Sequence, residues 1–476
     1  MIPTMNFRRR DRKPEASESA DEKNNEPHIL RPRRSGSKIW SFKLIIGFLV
    51  YFLVIIHYFE RVRVKSAMNK CQWSNWENWS GEKAKNVPHR IAFIADPQLV
   101  DDHTYPKLPR FVGYILRRMS DNYLHTNYKF MQHYLDPDTV IFLGDLYDGG
   151  RDWDDKMWLD EYKRFNLIFP KKANRRSIRS LPGNHDIGFQ NISTYNMHRF
   201  AAYFGEANDY YELGNHTIVQ LDTISMSHED PAVHTESREF LASLDSKINP
   251  SMPRMVLTHV PLYRDPRVET CGPGRESSRL FPLQRGVQYQ TVIDFSYTSK
   301  ILSQLSPEIV FSGDDHDYCD MHHVDYTDNS KILAREISVK TASMTNGIKY
   351  PAVQLLSLNN PYDPNPKSKL DSSDDTTTYK TMMCYMPTPY TGAKVYGISY
   401  LVAVAILVAC IVYPERIEIY LDKSAGSQSV LPRFFQHCMV EHDKNHTFRM
   451  RLNELGYHCT ILLWSVLCII SLYNRK

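Results

Sequence analysis

Short runs of β-branched and apolar residues recur through the middle of the chain, and each ends in glycine, aspartate, asparagine, threonine or histidine motifs. The six runs are RIAFIAD, DTVIFLGD, RSIRSLPGNHD, HTIVQLDT, RMVLTHV and EIVFSGDD. Longer amphipathic stretches lie between the early runs, so predicted strands alternate with predicted helices. This alternation predicts an α/β fold built from packed layers.

Polar side chains that can bind metals stand directly after these predicted strands. In chain order they are Asp96, Gln98, Asp145, Asn184, His185, Asp186, His259, Asp314, Asp315 and His316. A single aspartate after a strand usually caps a turn, but a series at five strand ends is poorly explained by capping alone. In layered α/β folds, ligand groups gather beyond the carboxyl ends of the strands. This edge of the fold is therefore predicted to bind divalent metal ions.

The stretch VFSGDDHDYCD carries four carboxylates within seven positions. Carboxylates this close together repel one another unless positive charge lies between them. Divalent cations would supply that charge. Asp315 and Asp317 are expected to face away from the metals or to tune their ligands.

Three apolar runs are long enough to cross a bilayer. They cover about residues 39–58, 395–413 and 457–473, and a spanning helix needs ~20 residues. The first run is too long for a typical signal-peptide core and no small-x-small cleavage site follows it, so it is interpreted as an uncleaved transmembrane signal anchor. None of the runs carries the intramembrane acids expected of an ion path, which argues against a transporter.

Charge and glycosylation signals predict the orientation of the chain. Residues 1–38 are basic and polar, and are predicted to form a disordered cytosolic tail. Basic residues flank the first run on both sides, so they favour this orientation only modestly. Three Asn-x-Ser/Thr sites between the first two runs favour a luminal folded domain over residues 71–390. Residues 414–455 would then be a cytosolic loop. The three sites are Asn78, Asn191 and Asn215.

Four of the eight cysteines fall in the predicted luminal segment: Cys71, Cys271, Cys319 and Cys384. Four cysteines allow two disulfides in any of three pairings. Four free thiols would be the alternative, but an oxidising lumen favours disulfides.

Composition limits the partners and one domain boundary. The 476 residues carry a net charge of +4, and most of that excess lies in the N-terminal tail, so no nucleic-acid partner is predicted. Residues 360–383 combine proline, serine, aspartate and lysine. They are interpreted as a flexible linker to the second apolar run.

The order of the strand-end motifs resembles the calcineurin-like metallophosphoesterase superfamily, whose signature runs D-x-H, GD, GNH(D/E), H and GHxH. The resemblance implies an α/β fold, a four-layer α/β/β/α sandwich, here with flanking transmembrane helices. It also implies two divalent metal ions bridged by one aspartate. Carried over by position, Asp96 and His316 would bind one metal, Asn184 and His259 the other, and Asp145 both.

Further roles are expected around the metals. By resemblance, His185 would protonate the leaving oxygen or donate a hydrogen bond to the phosphate. Asp186 would either orient His185 or cap the local turn. Arg275 lies in the loop RVETCGPGRESSRL, and it is a candidate phosphate contact.

Two positions depart from the superfamily signature. Gln98 and Asp314 stand where histidines are expected. Both changes replace nitrogen with oxygen, which favours Mn²⁺ or Mg²⁺ over Zn²⁺. Gln98 is the weaker ligand of the two and would bind directly or through water. A degenerate, inactive domain is the alternative, but the other signature residues are retained.

Within the superfamily, the phrases FIADPQLVD, FLGDLYDGGRDWDD, LPGNHDIGF and LTHVPLYRDP look like the fungal cell-division-control branch. The resemblance implies a multi-pass membrane phosphodiesterase of the endoplasmic reticulum or Golgi with a link to manganese. It would remove ethanolamine phosphate from a mannose of the glycosylphosphatidylinositol (GPI) anchor, with GPI lipid or GPI-anchored proteins as substrate. The alternatives are a phosphatase or nucleotide phosphodiesterase with a soluble substrate, and a manganese-homeostasis membrane protein.

Overall fold

The computed structural model describes residues 37–360, 377–413 and 447–474. The helices are α1 Ser37–His57, α2 Arg63–Lys70, α3 Arg110–Tyr134, α4 Asp155–Ile168, α5 Asn184–Ile187, α6 Thr194–Phe204, α7 Thr223–Ser227, α8 Pro231–Lys247, α9 Phe295–Leu305, α10 Thr391–Val412 and α11 Phe448–Tyr473. The strands are β1 His89–Ile94, β2 Thr139–Phe142, β3 Arg176–Ile178, β4 Asp209–Leu213, β5 His216–Gln220, β6 Arg254–Leu257, β7 Arg285–Gly286, β8 Tyr289–Gln290, β9 Ile309–Ser312, β10 Cys319–Asp325, β11 Asp328–Ser338, β12 Ala352–Leu358 and β13 Tyr379–Tyr385.

Two mixed sheets form the centre of the fold. The first has the order β13-β12-β1-β2-β3 and the second the order β10-β11-β9-β6-β5-β4. Strands β1, β2 and β3 are parallel, as are β5, β6, β9 and β11. The remaining strands are antiparallel to their neighbours. All six apolar runs of the sequence supply strands of these sheets.

The two sheets pack face to face because alternate residues of each strand point between them. Phe93 of β1 stacks on Phe311 of β9 with ring centroids 4.4 Å apart. The opposite faces carry helices: Tyr128 of α3 contacts Phe142 of β2, and residues of α8 and α9 are buried in the same outer cluster as Val256 of β6. The four-layer α/β/β/α prediction is confirmed.

Three helices are long and apolar enough to cross a membrane: Phe42–Lys70, Thr391–Val412 and Phe448–Tyr473. The first joins α1 and α2 through a π-helical turn at Tyr58–Val62. The three helices pack together through buried apolar residues, including Phe52, Leu407 and Leu462. The chain therefore has the helices of a membrane protein, and α11 begins nine residues before the predicted start of the third span at residue 457.

The folded domain is fastened to these helices where they leave the apolar region. A disulfide joins Cys71, at the end of α2, to Cys384 of β13. Arg63 of α2 donates hydrogen bonds to the backbone carbonyl and the hydroxyl of Thr388, just before α10. A second disulfide joins Cys271 to Cys319. The structure thus selects one of the three possible cysteine pairings.

One predicted boundary is wrong. The linker predicted for residues 360–383 includes the start of β13, which pairs antiparallel with the whole of β12. Its apolar and β-branched residues therefore complete the first sheet. The remaining linker residues 361–376, the predicted tail up to residue 36, and residues 414–446 of the predicted cytosolic loop lie outside the described residues.

Candidate metal centre

The site forms where four parallel strands of the two sheets end. Asp96 follows β1, Asp145 follows β2, His259 follows β6 and Asp314 follows β9. Within the described part of the chain, Asp96, Asp145 and His259 each place a potential ligand atom within 4.8 Å of the others. All three are buried. The sheets thus bring together residues that are far apart in sequence.

His259 is held with one ring nitrogen pointing into the site. Its Nδ1 lies 2.7 Å from the carbonyl oxygen of Leu143, so Nδ1 carries the proton and donates to that carbonyl. Its Nε2 then faces three oxygens: Asn184 Oδ1 at 3.3 Å, Asp145 Oδ1 at 3.4 Å and Asp314 Oδ1 at 3.6 Å. A lone pair aimed at three acceptor oxygens is the arrangement that a cation stabilises.

Buried charge gives a second reason why these residues fit divalent cations. Burial and the negative charge of Asp145 raise the pKa of Asp96 and of Asp314 well above the ordinary range of a carboxyl group. Oδ2 of Asp96 is buried and has no hydrogen-bond partner among the described residues. Cations between these carboxylates would remove both the repulsion and the unmet hydrogen-bonding capacity.

Glycines permit the close approach of the loops. Gly144 has φ +87°, and a Cβ there would lie 2.4 Å from Nδ1 of His259. A Cβ on Gly183 would lie 2.1 Å from Oδ1 of Asp145. The GD and GNHD motifs therefore need glycine because metal-ligand side chains occupy the space of a Cβ.

Five of the predicted site residues have left-handed backbone conformations. Their φ angles are 46° for Asp96, 40° for Gln98, 48° for Asp145, 63° for Asp314 and 63° for His316. Non-glycine residues adopt this conformation at an energetic cost, and such strain concentrates at functional sites.

His185 is oriented by Asp148, a residue that the sequence analysis did not select. Its Nδ1 lies 2.7 Å from the carbonyl oxygen and 3.2 Å from Oδ1 of Asp148. Burial lowers the pKa of His185, but the charges of Asp145 and Asp148 outweigh it and raise the pKa to about 10. The available signal was the spacing in LGDLYD, which places Asp148 three residues after Asp145.

The suggestion that Asp186 orients His185 is wrong. The Asp186 carboxylate instead accepts hydrogen bonds from the backbone N–H groups of Gly183 at 2.8 Å, Leu146 at 3.1 Å and Tyr147 at 3.1 Å. It therefore clamps the loop after β2 to the loop that begins α5. Of the two roles expected for Asp186, the structure supports the capping one.

The two residues that depart from the superfamily signature both lie at the site. Gln98 donates from Nε2 to Oδ1 of Asp148 at 3.2 Å. The backbone N–H of Asp314 donates to Oδ1 of Asp96 at 3.0 Å. His316 follows on the same loop but is not part of the closest group of described residues, and burial lowers its pKa to about 4. The neutral imidazole is the form that binds a metal.

Arg275 is not free to contact a phosphate as expected. Its guanidinium forms a buried ion pair with both carboxylate oxygens of Asp315. Asp317 likewise faces away from the metal site, because it accepts hydrogen bonds from the backbone N–H groups of Glu276 and Ser277 and contacts Lys340. The acidic stretch thus divides into ligands and anchors for the loop around residue 275.

The carboxylates, imidazole and amide that meet at the ends of parallel strands form a possible metal site, and the family match identifies the class as a metal-dependent phosphoester hydrolase. The chain belongs to the calcineurin-like metallophosphoesterase family. Residues 89–318 match the family model described as calcineurin-like phosphoesterase. Members of this family use two divalent metal ions, and Asp96, Asp145 and His259 form a possible metal site in this chain.

Two sequence relatives support this membership. The chain is 48% identical to Cell division control protein 1 of Saccharomyces cerevisiae over 361 residues, covering 75% of this chain and 72% of that protein. It is 25% identical to Metallophosphoesterase 1 of Xenopus laevis over 398 residues, covering 76% of this chain and 85% of that protein. A purple acid phosphatase from yellow lupin overlaps 62% of this chain and 54% of its own, at 11% identity and a TM-score of 0.35.

Proposed function

We propose that the chain is a luminal, manganese-dependent phosphodiesterase that removes ethanolamine phosphate from a mannose of the GPI anchor glycan. GPI lipid or GPI-anchored proteins would be its substrate, and the membrane of the endoplasmic reticulum or Golgi its location. The proposal rests on two grounds: the chain belongs to the metallophosphoesterase family, and its motifs resemble those of the fungal cell-division-control branch.

The observation that carries the proposal is the short path from the metal centre to a membrane helix. The side-chain amide of Asn346 donates to the carbonyl oxygen of Asp96 at 3.4 Å. Two residues earlier, the carbonyl of Met344 accepts from the Tyr390 hydroxyl at 3.2 Å. Tyr390 directly precedes Thr391, where α10 begins. A phosphodiester carried by a lipid anchor would meet a site placed in this way, because anchoring confines enzyme and substrate to one surface.

The residues have separable roles in this reaction. Asp96, Gln98, Asp145, Asn184, His259, Asp314 and His316 would hold the two ions. Bound divalent ions stabilise negative charge on phosphoryl oxygens and lower the pKa of water. Because Nδ1 of His185 is bonded to Asp148, its other ring nitrogen is the proton donor that we assign to the leaving oxygen.

The oxygen-rich ligands support manganese. Asp96, Asp145 and Asp314 contribute carboxylates and Asn184 an amide oxygen, whereas His259 and His316 contribute nitrogen. Hard oxygen ligands suit Mn²⁺ and Mg²⁺, and mixed oxygen and imidazole ligands suit Mn²⁺ better than Mg²⁺. Gln98 and Asp314, which stand in place of the two signature histidines, favour these hard ions over Zn²⁺.

A luminal domain is supported by its disulfides and glycosylation sites. Both disulfides lie in the domain, as expected in an oxidising compartment. Asn78 and Asn191 are exposed, while Asn215 is half-buried and donates from Nδ2 to the carbonyl of Asn360 at 2.8 Å. We expect glycosidase treatment to reduce the mass of the cellular protein, and Asn78→Gln and Asn191→Gln each to remove one step. An unmodified protein would argue against the luminal orientation.

The reaction is tested with the full-length protein in nanodiscs. Metal-free protein plus Mn²⁺ should release ethanolamine phosphate from purified GPI, as detected by mass spectrometry. Asp145→Asn should abolish the release, because it removes a carboxylate from the centre of the site. Asp245→Asn, an exposed change on α8, should leave the release unchanged.

Two outcomes would overturn parts of the proposal. If the folded, Mn²⁺-loaded protein cleaves nucleotide phosphodiesters but releases nothing from GPI, the substrate assignment is wrong and the soluble-substrate alternative gains support. Full release by Asp145→Asn would contradict the metal site itself. Mass spectrometry of GPI glycans from cells lacking the protein should show ethanolamine phosphate retained on one mannose.

A further inference from the structure

Helix α3 runs beside the first membrane helix in the same direction. Near the membrane boundary, the side-chain amide of Asn122 donates to Glu60 at 3.2 Å. Further along both segments, Gln72, just after α2, donates a hydrogen bond to the carbonyl of Tyr134 at the end of α3, at 2.9 Å. Contacts therefore advance together along both helices. The residues of α3 that precede Asn122 consequently extend back toward the membrane side of the domain.

The sheet gives the same direction independently. Strands β1 and β13 are both antiparallel to β12, so β13 runs parallel to β1 and ends at the edge where Asp96 lies. Only five residues separate Tyr385, the end of β13, from Thr391, the start of α10. The edge of the first sheet that carries the metal centre is therefore also the edge that faces the membrane.

Residues 105–118, which we name the interfacial segment, expose an unusual density of apolar side chains at this edge. The exposed fractions are 36% for Tyr105, 40% for Leu108, 73% for Phe111, 43% for Val112, 61% for Tyr114 and 41% for Ile115. The segment also contains four basic residues and no acid: Lys107, Arg110, Arg117 and Arg118. Exposed aromatic and aliphatic residues combined with basic ones are typical of segments that lie in a membrane interface.

The interfacial segment is fixed beside the metal centre. The Tyr105 hydroxyl donates to the carbonyl of Thr345 at 3.4 Å, next to Asn346, which contacts Asp96. Just before it, Asp101 accepts a hydrogen bond from the indole of Trp153 at 3.0 Å. The apolar side chains are thus carried by an anchored loop and helix, so their exposure is a property of the folded domain.

We propose that the interfacial segment lies in the headgroup region of the bilayer as an additional membrane contact. From Met119, which lines a cavity together with Phe59 and Glu60 of the first membrane helix, α3 continues nine residues to Arg110, a length of about 13 Å. A patch this apolar is rare on a surface that faces water alone. Lys107, Arg110 and Arg118 are exposed and complement anionic lipid headgroups, whereas Arg117 pairs with Glu161 of the domain.

This contact has a consequence for the substrate of the site. It holds the metal centre against the bilayer, where the scissile phosphodiester must lie within reach of the headgroup layer. The proposed membrane contact goes beyond the GPI assignment, because it would serve any phosphodiester that is carried by a lipid. It requires only that the three long apolar helices span a bilayer.

The test places a photoreactive side chain on the segment in the full-length protein. Phe111→p-benzoylphenylalanine and Tyr114→p-benzoylphenylalanine are reconstituted into nanodiscs of phosphatidylcholine and phosphatidylserine and irradiated, and peptides carrying lipid adducts are counted by mass spectrometry. Leu167 and Ile332, which are 61% and 60% exposed, give matched controls. Helices α3 and α4 run in the same direction, because Arg117 pairs with Glu161 and, further along both helices, His125 contacts the carbonyl of Ile168. Leu167 therefore lies at the end of α4 that is far from the interfacial segment.

We expect lipid adducts at positions 111 and 114 to exceed those at 167 and 332 severalfold, because only the first two positions would lie among the lipid headgroups. Equal yields at all four positions in monodisperse protein would overturn the proposal, as would adducts to another protein in place of lipid. Neither outcome depends on catalysis. A negative result on GPI with strong lipid adducts would therefore refute the proposed substrate and leave this contact standing.

Discussion

Replacing Asp186 with asparagine separates its clamping role from a catalytic one. The carboxylate accepts three backbone hydrogen bonds, from Gly183, Leu146 and Tyr147, and is fully buried. Asparagine keeps one oxygen but turns an NH₂ group toward at least one of these N–H groups. A buried donor without a partner costs about 1–3 kcal/mol, and the remaining bonds lose the strength that a charged acceptor gives.

We therefore expect Asp186→Asn to lower the free energy of unfolding by about 2–4 kcal/mol. The apparent melting temperature of a domain this large should fall by roughly 2 °C for each kcal/mol. The assay is thermal unfolding of the full-length protein in nanodiscs, together with the pH profile of phosphodiester hydrolysis. The rate should drop because Asp145 neighbours the clamped loop, but the shape of the pH profile should not change.

Asp148→Asn supplies the contrasting variant. Asp148 raises the pKa of His185, so its loss should move the alkaline limb of the profile to lower pH, because an acid catalyst is lost as the pH rises through its pKa. The reasoning would be refuted if Asp186→Asn kept wild-type stability and shifted that limb. Such a result would make Asp186 the residue that orients His185.

Three further predictions follow from single contacts. Arg275→Ala should lower the free energy of unfolding by about 3–5 kcal/mol, because it leaves the Asp315 carboxylate buried without its partner. It should leave KM unchanged. A tenfold rise in KM at unchanged melting temperature would instead support a phosphate contact by Arg275. Gly144→Ala should weaken Mn²⁺ binding at least about tenfold in calorimetric titration, because a Cβ would collide with His259 and φ +87° disfavours alanine; wild-type affinity would contradict this. Burial lowers the pKa of His216 to about 4, below the ordinary 6.5. The contribution of His216 to stability is therefore complete above pH 6.5 and is lost as the pH falls through 4, a change of about 3 kcal/mol. His216→Gln should remove that part of the pH dependence in denaturant unfolding, and an identical pH profile would disprove it.

The fold and most of the site were predictable because they depend on local patterns. Each apolar run that ends in Asp, Asn or His became a strand whose last residues turn toward one edge. Gly144 and Gly183 are required because His259 and Asp145 pack against them. Both glycines belong to short motifs, GD and GNHD, that can be recognised in the sequence. The same is true of the three long apolar helices.

Other features depend on contacts between distant residues and left no local trace. Asp186 and Asp148 are equally plausible partners of His185 in sequence, and only the packing of the two loops assigns Asp148. Arg275 meets Asp315 across a separation of 40 residues. The residues before β13 are polar and suggest a linker. What makes β13 a strand is its pairing with β12, and that pairing is not visible in the local sequence.

The disulfide between Cys71 and Cys384, which lie 313 positions apart in the sequence, closes a covalent ring of chain. One membrane helix precedes the ring and another follows it. A protease that cuts once anywhere in this ring would not shed a soluble ectodomain. Both fragments keep a membrane helix and stay bonded to each other. Release from the membrane helices would require two cuts that excise the sheets from both anchors, because the first and last segments of the folded domain are joined.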